Sequence, residues 1–371
     1  MKIAMLGHKR IPSREGGVEI VVEELSTRMA KLGNEVIVYN RDENNKINEN
    51  KANKIKEYKG VKIKKVFTID SKKLSAVTSS LFATIKILFS KVDVVHFHAE
   101  GPCAWMWIIK FFTRKRIIAT IHGLDWQRAK WGSFATKFIK FGEKNAAKYA
   151  NEIIVLSKNV QKYFKDTYNR DTVFIPNGID KPQIREAKVI KEKFDLYKDS
   201  YILFLARIVP EKGLDYLIDA YNMIQTNKKL VIAGDASHTN KYLEKIKKKT
   251  GENKNIIMTG FVQGEMLEEL FSNCYIYCLP SDIEGMPISL LEAMSFNNCC
   301  LTSDINECTE VIEDKGVKFR KSDVKDLAEK LQYLCDNKDI VNKYKIESQN
   351  FILGKYNWSE VVENTLNLYK K

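Results

Sequence analysis

One device recurs along most of the chain: a short, continuous apolar run, a break of glycine or polar residues, then apolar residues at helical spacing. The first series runs through "KIAMLG", "EVIVYN", "VKIKKVF", "VDVVHFH", "RIIATIH", "EIIVLS" and "TVFIPN". Between the first two runs, Val18, Val21, Val22, Leu25, Met29 and Leu32 share one face of a predicted helix, which Gly33 ends. Runs that are apolar throughout belong to strands covered on both faces, so this pattern predicts a parallel sheet between two layers of helices. A charged, Pro-bounded stretch around Pro176 to Ser200 interrupts the rhythm. It restarts with "YILFLAR", "KLVIAGD", "NIIMTG", "YIYCLP", "NCCLTS" and "GVKFR". A chain of 371 residues is also too long for one ordinary core. Two doubly wound α/β domains are expected, residues 1–180 and 181–355. In such sheets ligands bind outside the carboxyl ends of the strands, so the informative loops are those directly after strands.

Composition narrows the class. With 44% hydrophobic and 29% charged residues the chain reads as a soluble globular protein. "MKIAMLG" has none of the regions of a secretory signal. The apolar stretches "LSAVTSSLFATIKILFS" and "AWMWIIKFF" are broken by Lys86 and Lys110, too early to span a bilayer. Seven cysteines without a repeating pattern fit a reducing cytoplasm, and Cys274 and Cys278 read as buried strand residues, not a metal pair. The net charge of +14 is uneven: residues 1–182 carry +16 and the remainder −2. A basic half joined to a neutral one points to a polyanion or an anionic surface, although the Lys- and Asn-rich segment 43–65 also reads as a solvated loop and strand.

Several chemistries lose support. "GHKRIPSREGG" after the first run is not a compact dinucleotide-binding turn, and no Gly-x4-Gly-Lys-Ser/Thr loop occurs. There is no Asp-x-Asp pair to hold a divalent metal on a diphosphate, and no His-Glu-x-x-His for zinc. What the strand ends do carry is suited to a phosphorylated, hydroxyl-rich ligand. Gly16 and Gly17 open a helix whose N-terminus attracts phosphate. His122 follows a strand, before Gly123 and beside Asp125, whereas His96 and His98 read as packing residues. Arg207 ends a strand and Lys212 follows five residues later, two cations able to grip a diphosphate. In "SDIEGMPISLLEAM", Pro287 fits the first position of a helix whose Leu290, Leu291 and Met294 face a core. Glu284 precedes that helix and Glu292 stands in its second turn. Carboxylates accept paired hydroxyl bonds well, and the N–H groups of Gly285, Met286 and Ile288 add donors. Together these describe a nucleotide sugar.

In order along the chain, Gly16-Gly17, His122, "NGID" at Asn177, Arg207 with Lys212, and the Glu-x7-Glu of Glu284 and Glu292 resemble the retaining GT-B glycosyltransferases of glycosyltransferase family 4. The opening "GHKRIPSREGGVEIVVEEL" and "HGLDWQRAKW" further resemble a bacterial branch that includes rhamnosyltransferases of capsule and cell-wall polysaccharide assembly. The resemblance implies two facing Rossmann-like domains with a cleft between them, the first binding acceptor and the second the nucleotide sugar. It also implies a C-terminal helix, residues 356–371, that crosses back onto the first domain with Trp358 as an anchor. By the same resemblance, Arg207 and Lys212 neutralise the donor diphosphate, Glu292 binds ribose hydroxyls and Glu284 the sugar. Gly17 approaches phosphate, Val262 lines the nucleobase pocket and His122 touches the donor sugar. Retention needs no protein base; were the enzyme inverting, Asp125 or His122 would be the base. Arg14 and Asp125 fall where the acceptor is expected. The implied activity is transfer of L-rhamnose from dTDP-rhamnose to a polyprenyl-diphosphate-linked saccharide, without cofactor or metal, at the inner face of the cell membrane, to which the basic first half is drawn. A UDP-hexose-dependent transferase, a nucleotide-sugar epimerase and a basic nucleic-acid-binding protein are the alternatives. The last is disfavoured, because the charge is not interleaved with the aromatic motif of a binding module.

Overall fold

A computed structural model describes residues 1–42, 55–71, 74–127, 132–236, 240–251 and 253–371. The first part of the Lys- and Asn-rich segment, 43–54, and the end of "HGLDWQRAKW", 128–131, lie outside them. The chain forms two units, Met1–Asn177 with Trp358–Lys371, and Gly178–Asn357. A parallel bridge pairs Ile179 with Asn357 where the chain leaves the first unit and returns to it.

The strands of the first unit are β1 (Lys2–Leu6), β2 (Glu35–Asp42), β3 (Glu57–Tyr58), β4 (Val61–Phe67), β5 (Val94–His98), β6 (Arg116–Ile121), β7 (Glu152–Val155) and β8 (Val173–Phe174). Its helices are α1 (Gly17–Lys31), α2 (Ser75–Leu88), α3 (Met106–Phe112), α4 (Ser133–Tyr149) and α5 (Lys158–Tyr168). The sheet order is β3-β4-β2-β1-β5-β6-β7-β8, parallel except where β3 pairs antiparallel with β4. That hairpin was not expected from the apolar pattern. It is made by Lys59 and Gly60, both at positive φ (47° and 82°), as a tight two-residue turn requires.

In the second unit the strands are β9 (Tyr201–Leu205), β10 (Lys229–Ala233), β11 (Ile256–Gly260), β12 (Ile276–Leu279), β13 (Cys299–Ser303) and β14 (Val317–Phe319). Between and after them lie α6 (Val189–Phe194), α7 (Leu214–Met223), α8 (Asn240–Thr250), α9 (Glu265–Asn273), α10 (Ile288–Ser295), α11 (Asn306–Ile312), α12 (Val324–Asp336) and α13 (Lys338–Lys355). The order is β11-β10-β9-β12-β13-β14, and every pairing is parallel. Central strands such as β5 and β12 are buried along their whole length, which is why their sequences are apolar without alternation.

Each sheet starts in its middle, grows to one side and then crosses to the other. The switch points fall between the neighbours β1 and β5 and between β9 and β12, and at such points the following loops diverge and leave a crevice.

The last helix, α14 (Trp358–Lys370), belongs to the first unit. Trp358 is buried beneath the guanidinium of Arg28 on α1. Tyr369 meets His96 Nδ1 at 2.6 Å through its hydroxyl, and Arg116 donates to the Leu368 carbonyl at 2.7 Å. One expectation fails on α1: Leu32 is 65% exposed. The helix ends at Lys31, and the turn through Gly33 swings Leu32 off the buried stripe. Cys274 and Cys278 are buried and, among the described residues, belong to no group of three or more potential metal ligands; Cys274 donates to Asn298 Oδ1 at 3.0 Å.

Candidate functional site

At the switch point of the second unit, the loops after β9 and β12 touch because of one glycine. Gly213 has φ +65°, and a Cβ there would lie 2.0 Å from the Pro280 carbonyl oxygen. No other residue permits that approach. It brings the 3-10 turn Pro210–Lys212 against the segment that follows β12. Lys212 Nζ donates to Glu284 Oε1 at 2.5 Å, and the Ser281 hydroxyl donates to the same oxygen at 2.7 Å. Both ions are largely withdrawn from water, with side-chain exposures of 13% and 8%. The separate roles anticipated for Lys212 and Glu284 therefore meet in one ion pair, which leaves two ammonium protons of Lys212 available to a ligand.

The loop is held rigid by its neighbours. Asp282 N donates to the Glu211 carbonyl at 2.9 Å, and the Asp282 carboxylate accepts from Tyr216 and Ser322 at 3.1 and 2.7 Å. Ser303 Oγ donates to the Ser281 carbonyl at 2.5 Å. The helix beyond starts one residue later than expected. Pro287 is its N-cap, not its first residue, because ψ of 106° keeps it extended. Its carbonyl accepts from the N–H groups of Leu290 and Leu291. Leu290, Leu291 and Met294 fill the core, while Glu292 is half-buried in the second turn. Gly285, Met286 and Ile288 are buried in the approach to the helix. Tyr277 of β12 donates to Ser289 Oγ at 2.9 Å. Burial pushes its hydroxyl pKa well up, and the charges of Cys300, Glu284 and Glu292 add to the push.

Arg207 is half-buried directly after β9, and Val262 is buried after β11, two strands away. The strand ends of this unit thus present two cations and two carboxylates beside a helix start, with an apolar position towards the sheet edge. Ser281 and Tyr277 were missed in the sequence because nothing local marks a strand tyrosine or a loop serine as a partner of a distant lysine or helix.

In the first unit, Gly16 is the extended N-cap of α1 (φ −159°, ψ 160°) and Gly17 its first residue. Glu19 folds back over this end. Its Oε1 accepts from Lys9 N at 2.9 Å, and its Oε2 would lie 2.4 Å from a Cβ on Gly16. Arg14 is exposed on the loop before the helix, and Asn177 is buried as the last residue before the second unit.

His122, at the end of β6, is not a lone histidine. Its Nε2 lies 3.1 Å from Nδ1 of His98, and the His98 ring is stacked between His122 and His96 at 5.4 and 4.1 Å. His96 is engaged on both nitrogens, by Tyr369 and by Thr120 Oγ1 at 2.7 Å. Burial pushes the His96 pKa down to about 3 and that of His98 well below its ordinary value, so both rings are neutral. His96 is a packing residue; His98 is one as well, and it also holds His122. Asp125 begins a short turn beyond His122, and its N–H donates to Glu100 Oε2 at 2.8 Å. Glu100 was missed, as was Glu143 of α4. The legible signal for the latter was a carboxylate on the same helical stripe as Ile139, Gly142 and Ala146.

Among the described residues, no three His, Cys, Asp or Glu side chains are grouped to hold a metal ion. The described strand ends of the second unit carry cations and carboxylates suited to charge neutralisation and hydroxyl binding.

Comparison with known proteins bears on the family and the fold. Residues 15–182 match the profile of Glycosyltransferase Family 4, and residues 186–351 that of Glycosyl transferases group 1. An uncharacterized glycosyltransferase of Methanocaldococcus jannaschii is 27% identical over 305 residues, covering 76% of this chain and 75% of that one. The UDP-Gal:alpha-D-GlcNAc-diphosphoundecaprenol alpha-1,3-galactosyltransferase of Escherichia coli is 25% identical over 307 residues, 78% of each chain. Among solved structures, sucrose-phosphate synthase from Thermosynechococcus elongatus superimposes with a TM-score of 0.86 at 18% identity, over 100% of this chain and 98% of that one. Two family profiles that together span nearly all residues, and a fold shared along the whole length, place the chain in the group 1, family 4 type of glycosyltransferases, which have the GT-B fold.

Proposed function

We propose that this enzyme transfers a hexosyl group, with retention, from a nucleotide-diphosphate sugar to a saccharide carried on a lipid diphosphate. The observation that carries the reading is the Lys212–Glu284 pair at the β9/β12 switch point, with Arg207 on the adjoining loop and Glu292 one helical turn beyond. Arg207 and Lys212 meet the donor diphosphate and the charge left on it as the glycosidic bond breaks. Glu292 accepts from ribose hydroxyls, Glu284 faces the sugar while orienting Lys212, and Val262 lies against the base. Met286, Ile288 and Gly285 bring backbone to the same ligand. In the first unit, which takes the acceptor, Gly16 and Gly17 approach phosphate, His122 meets the transferred sugar, and Arg14 and Asp125 face the acceptor. A donor phosphate oxygen takes the acceptor proton, so no protein base is needed. The product anomer, read by NMR, tests this; an inverted linkage would move the base role to Asp125 or His122. Because two side-chain cations supply the positive charge, turnover is expected to survive chelation. Activity lost to EDTA and restored by Mg2+ would overturn that part.

The donor we put first is dTDP-rhamnose, on the branch resemblance of "GHKRIPSREGGVEIVVEEL" and "HGLDWQRAKW". A UDP-hexose is the second reading, favoured by the UDP-Gal in the name of the Escherichia coli relative, which also names a diphosphoundecaprenol acceptor. Thermal-shift screening of dTDP-rhamnose against UDP-glucose and UDP-galactose decides between them. A shift with a UDP-hexose alone removes rhamnose.

Attachment to an anionic membrane surface, with a place in bacterial surface-polysaccharide synthesis, completes the reading. The support is the inverted character of α2. It buries Ser79, Ser80, Ala83, Thr84 and Ile87, while Phe82, Ile85 and Phe89 next to its end face solvent. Lys115 ties the segment after α3 to the end of α2 by donating to the Leu88 carbonyl, and exposed Phe111 and Phe112 lie beside Lys110 and Arg114. Exposed aromatics among cations suit a headgroup layer. No helix among the described residues is long and apolar enough to cross a membrane. Vesicle sedimentation with and without anionic lipid tests the claim, and equal binding to both would sink its electrostatic half.

A further inference from the structure

Two buried carboxyl groups in the first unit have no part in the roles assigned above. Glu100 lies in the turn after β5 and is fully buried; Glu143 stands on the buried stripe of α4. At Gly142 that helix comes so close to the turn that a Cβ would lie 2.0 Å from the Glu100 carbonyl oxygen. The crossing brings the stretch of α4 that carries Glu143 against Glu100, and the neighbouring Glu143 carboxyl helps to push the Glu100 pKa up. Around them the donors are unevenly shared. Glu143 Oε1 accepts from the hydroxyls of Tyr163 and Tyr168 at 2.8 and 2.5 Å, and Glu143 Oε2 from the Trp126 indole N–H at 3.1 Å. Glu100 Oε2 accepts from the N–H of Asp125, but no N–H or O–H group among the described residues reaches Glu100 Oε1. The nearby Lys140 ammonium stacks on the Trp126 ring at 4.0 Å. Ionised carboxylates only accept, so two of them facing each other in a buried site need a proton between them. Burial, then the charge of Asp125, then Glu143 hold the Glu100 carboxyl well above the usual carboxylate range. Among the described residues, the other titratable groups beside the two acids are Cys103, whose thiol burial pushes up, and the two tyrosines, pushed up by burial and by Glu143.

We propose that Glu100 and Glu143 are a positioning pair bridged by one shared proton, which grips the Asp125–Gln127 turn at both its backbone and its indole and so keeps His122 and Asp125 at the strand end. Its importance for turnover rests on the function proposed above; the pinning itself does not. The test is hydrogen–deuterium exchange of residues 124–127 in the full chain without ligand, for wild type, Glu100→Gln, Glu100→Ala and Trp126→Phe. Glu100→Gln should keep the slow exchange, since an amide offers donor and acceptor without a proton, and Glu100→Ala should speed it at least tenfold. Trp126→Phe leaves both acids in place and should give a smaller acceleration, which keeps the test open if Glu100→Ala fails to fold. A protonated-carboxyl infrared band at neutral pH should be present in wild type and absent in Glu100→Gln. Unchanged exchange in both Glu100→Ala and Trp126→Phe, or exchange in Glu100→Gln as fast as in Glu100→Ala, overturns the proposal. Nucleotide release from UDP-glucose and dTDP-rhamnose is then followed in the same variants. Faster exchange with a fall in kcat and little change in KM supports both readings. Faster exchange with unchanged turnover leaves the pinning standing and overturns instead the role given to His122 and Asp125.

Discussion

Replacing Lys212 by methionine removes the cation from a pair whose carboxylate is only 8% exposed. Breaking a buried pair on one side costs about 3–5 kcal/mol, because the remaining charge stays uncompensated. Glu284 keeps the Ser281 hydroxyl at 2.7 Å, which places the expected cost at the lower end, about 3 kcal/mol. For a unit the size of Gly178–Asn357, that corresponds to a fall in Tm of about 6–12 °C. Glu284→Gln keeps shape and hydrogen bonds but strands the ammonium; with Lys212 at 13% exposure, about 2 kcal/mol is expected. In the double variant no buried charge is left, and the loss should be about 2 kcal/mol, far less than the sum of the two. Calorimetry of the four proteins without ligand closes the cycle. A coupling of about 3 kcal/mol is expected, and a double variant whose loss simply equals the sum would refute the pair. Nucleotide-sugar turnover should be low in all three variants. A stable but inactive double variant separates the contribution to folding from the contribution to chemistry.

The two glutamates should divide their effects: Glu292→Ala should weaken UDP or dTDP binding about tenfold or more by calorimetric titration, and Glu284→Ala should chiefly lower kcat. Identical effects on both would argue against the division. Gly213→Ala should cost at least about 2 kcal/mol in urea unfolding, since the residue combines φ +65° with a 2.0 Å approach to the Pro280 carbonyl, and it should reduce turnover by separating Lys212 from Glu284. An unaffected variant would show that the loops meet for another reason. His96 and His98 are held neutral in the folded protein, so unfolding below their ordinary value of 6.5 takes up protons and stability falls as pH falls towards about 3. Each ring contributes up to about 1.4 kcal/mol per pH unit in that window. Urea unfolding at pH 7 and pH 5.5 reads this directly, and equal stability at the two would contradict the buried neutral stack.

Local pattern alone determined the two α/β series, since a strand covered on both faces must be apolar at every position and a helix beside it must repeat at its own period. The places where charge and hydroxyl chemistry could sit were also legible: Arg207, Lys212, Glu284 and Glu292 all follow strands, and in this architecture strand ends are where ligands reach the backbone. The β3 hairpin escaped because two residues of strand carry no period. Pro287 was misplaced by one position because its fixed φ suits the helix N-cap as well as the first turn, and only ψ separates the two. Which of the site residues touch was decided by the tertiary structure. That Lys212 reaches Glu284 depends on Gly213 meeting Pro280, a contact between loops far apart in sequence. That His122 leans on His98, and that Glu100 faces Glu143, depends on neighbouring strands and on a helix crossing at Gly142. Periodicity reports which face of an element is buried; it carries no information about which buried group on another element lies opposite, and in both units buried charges are held by such opposites.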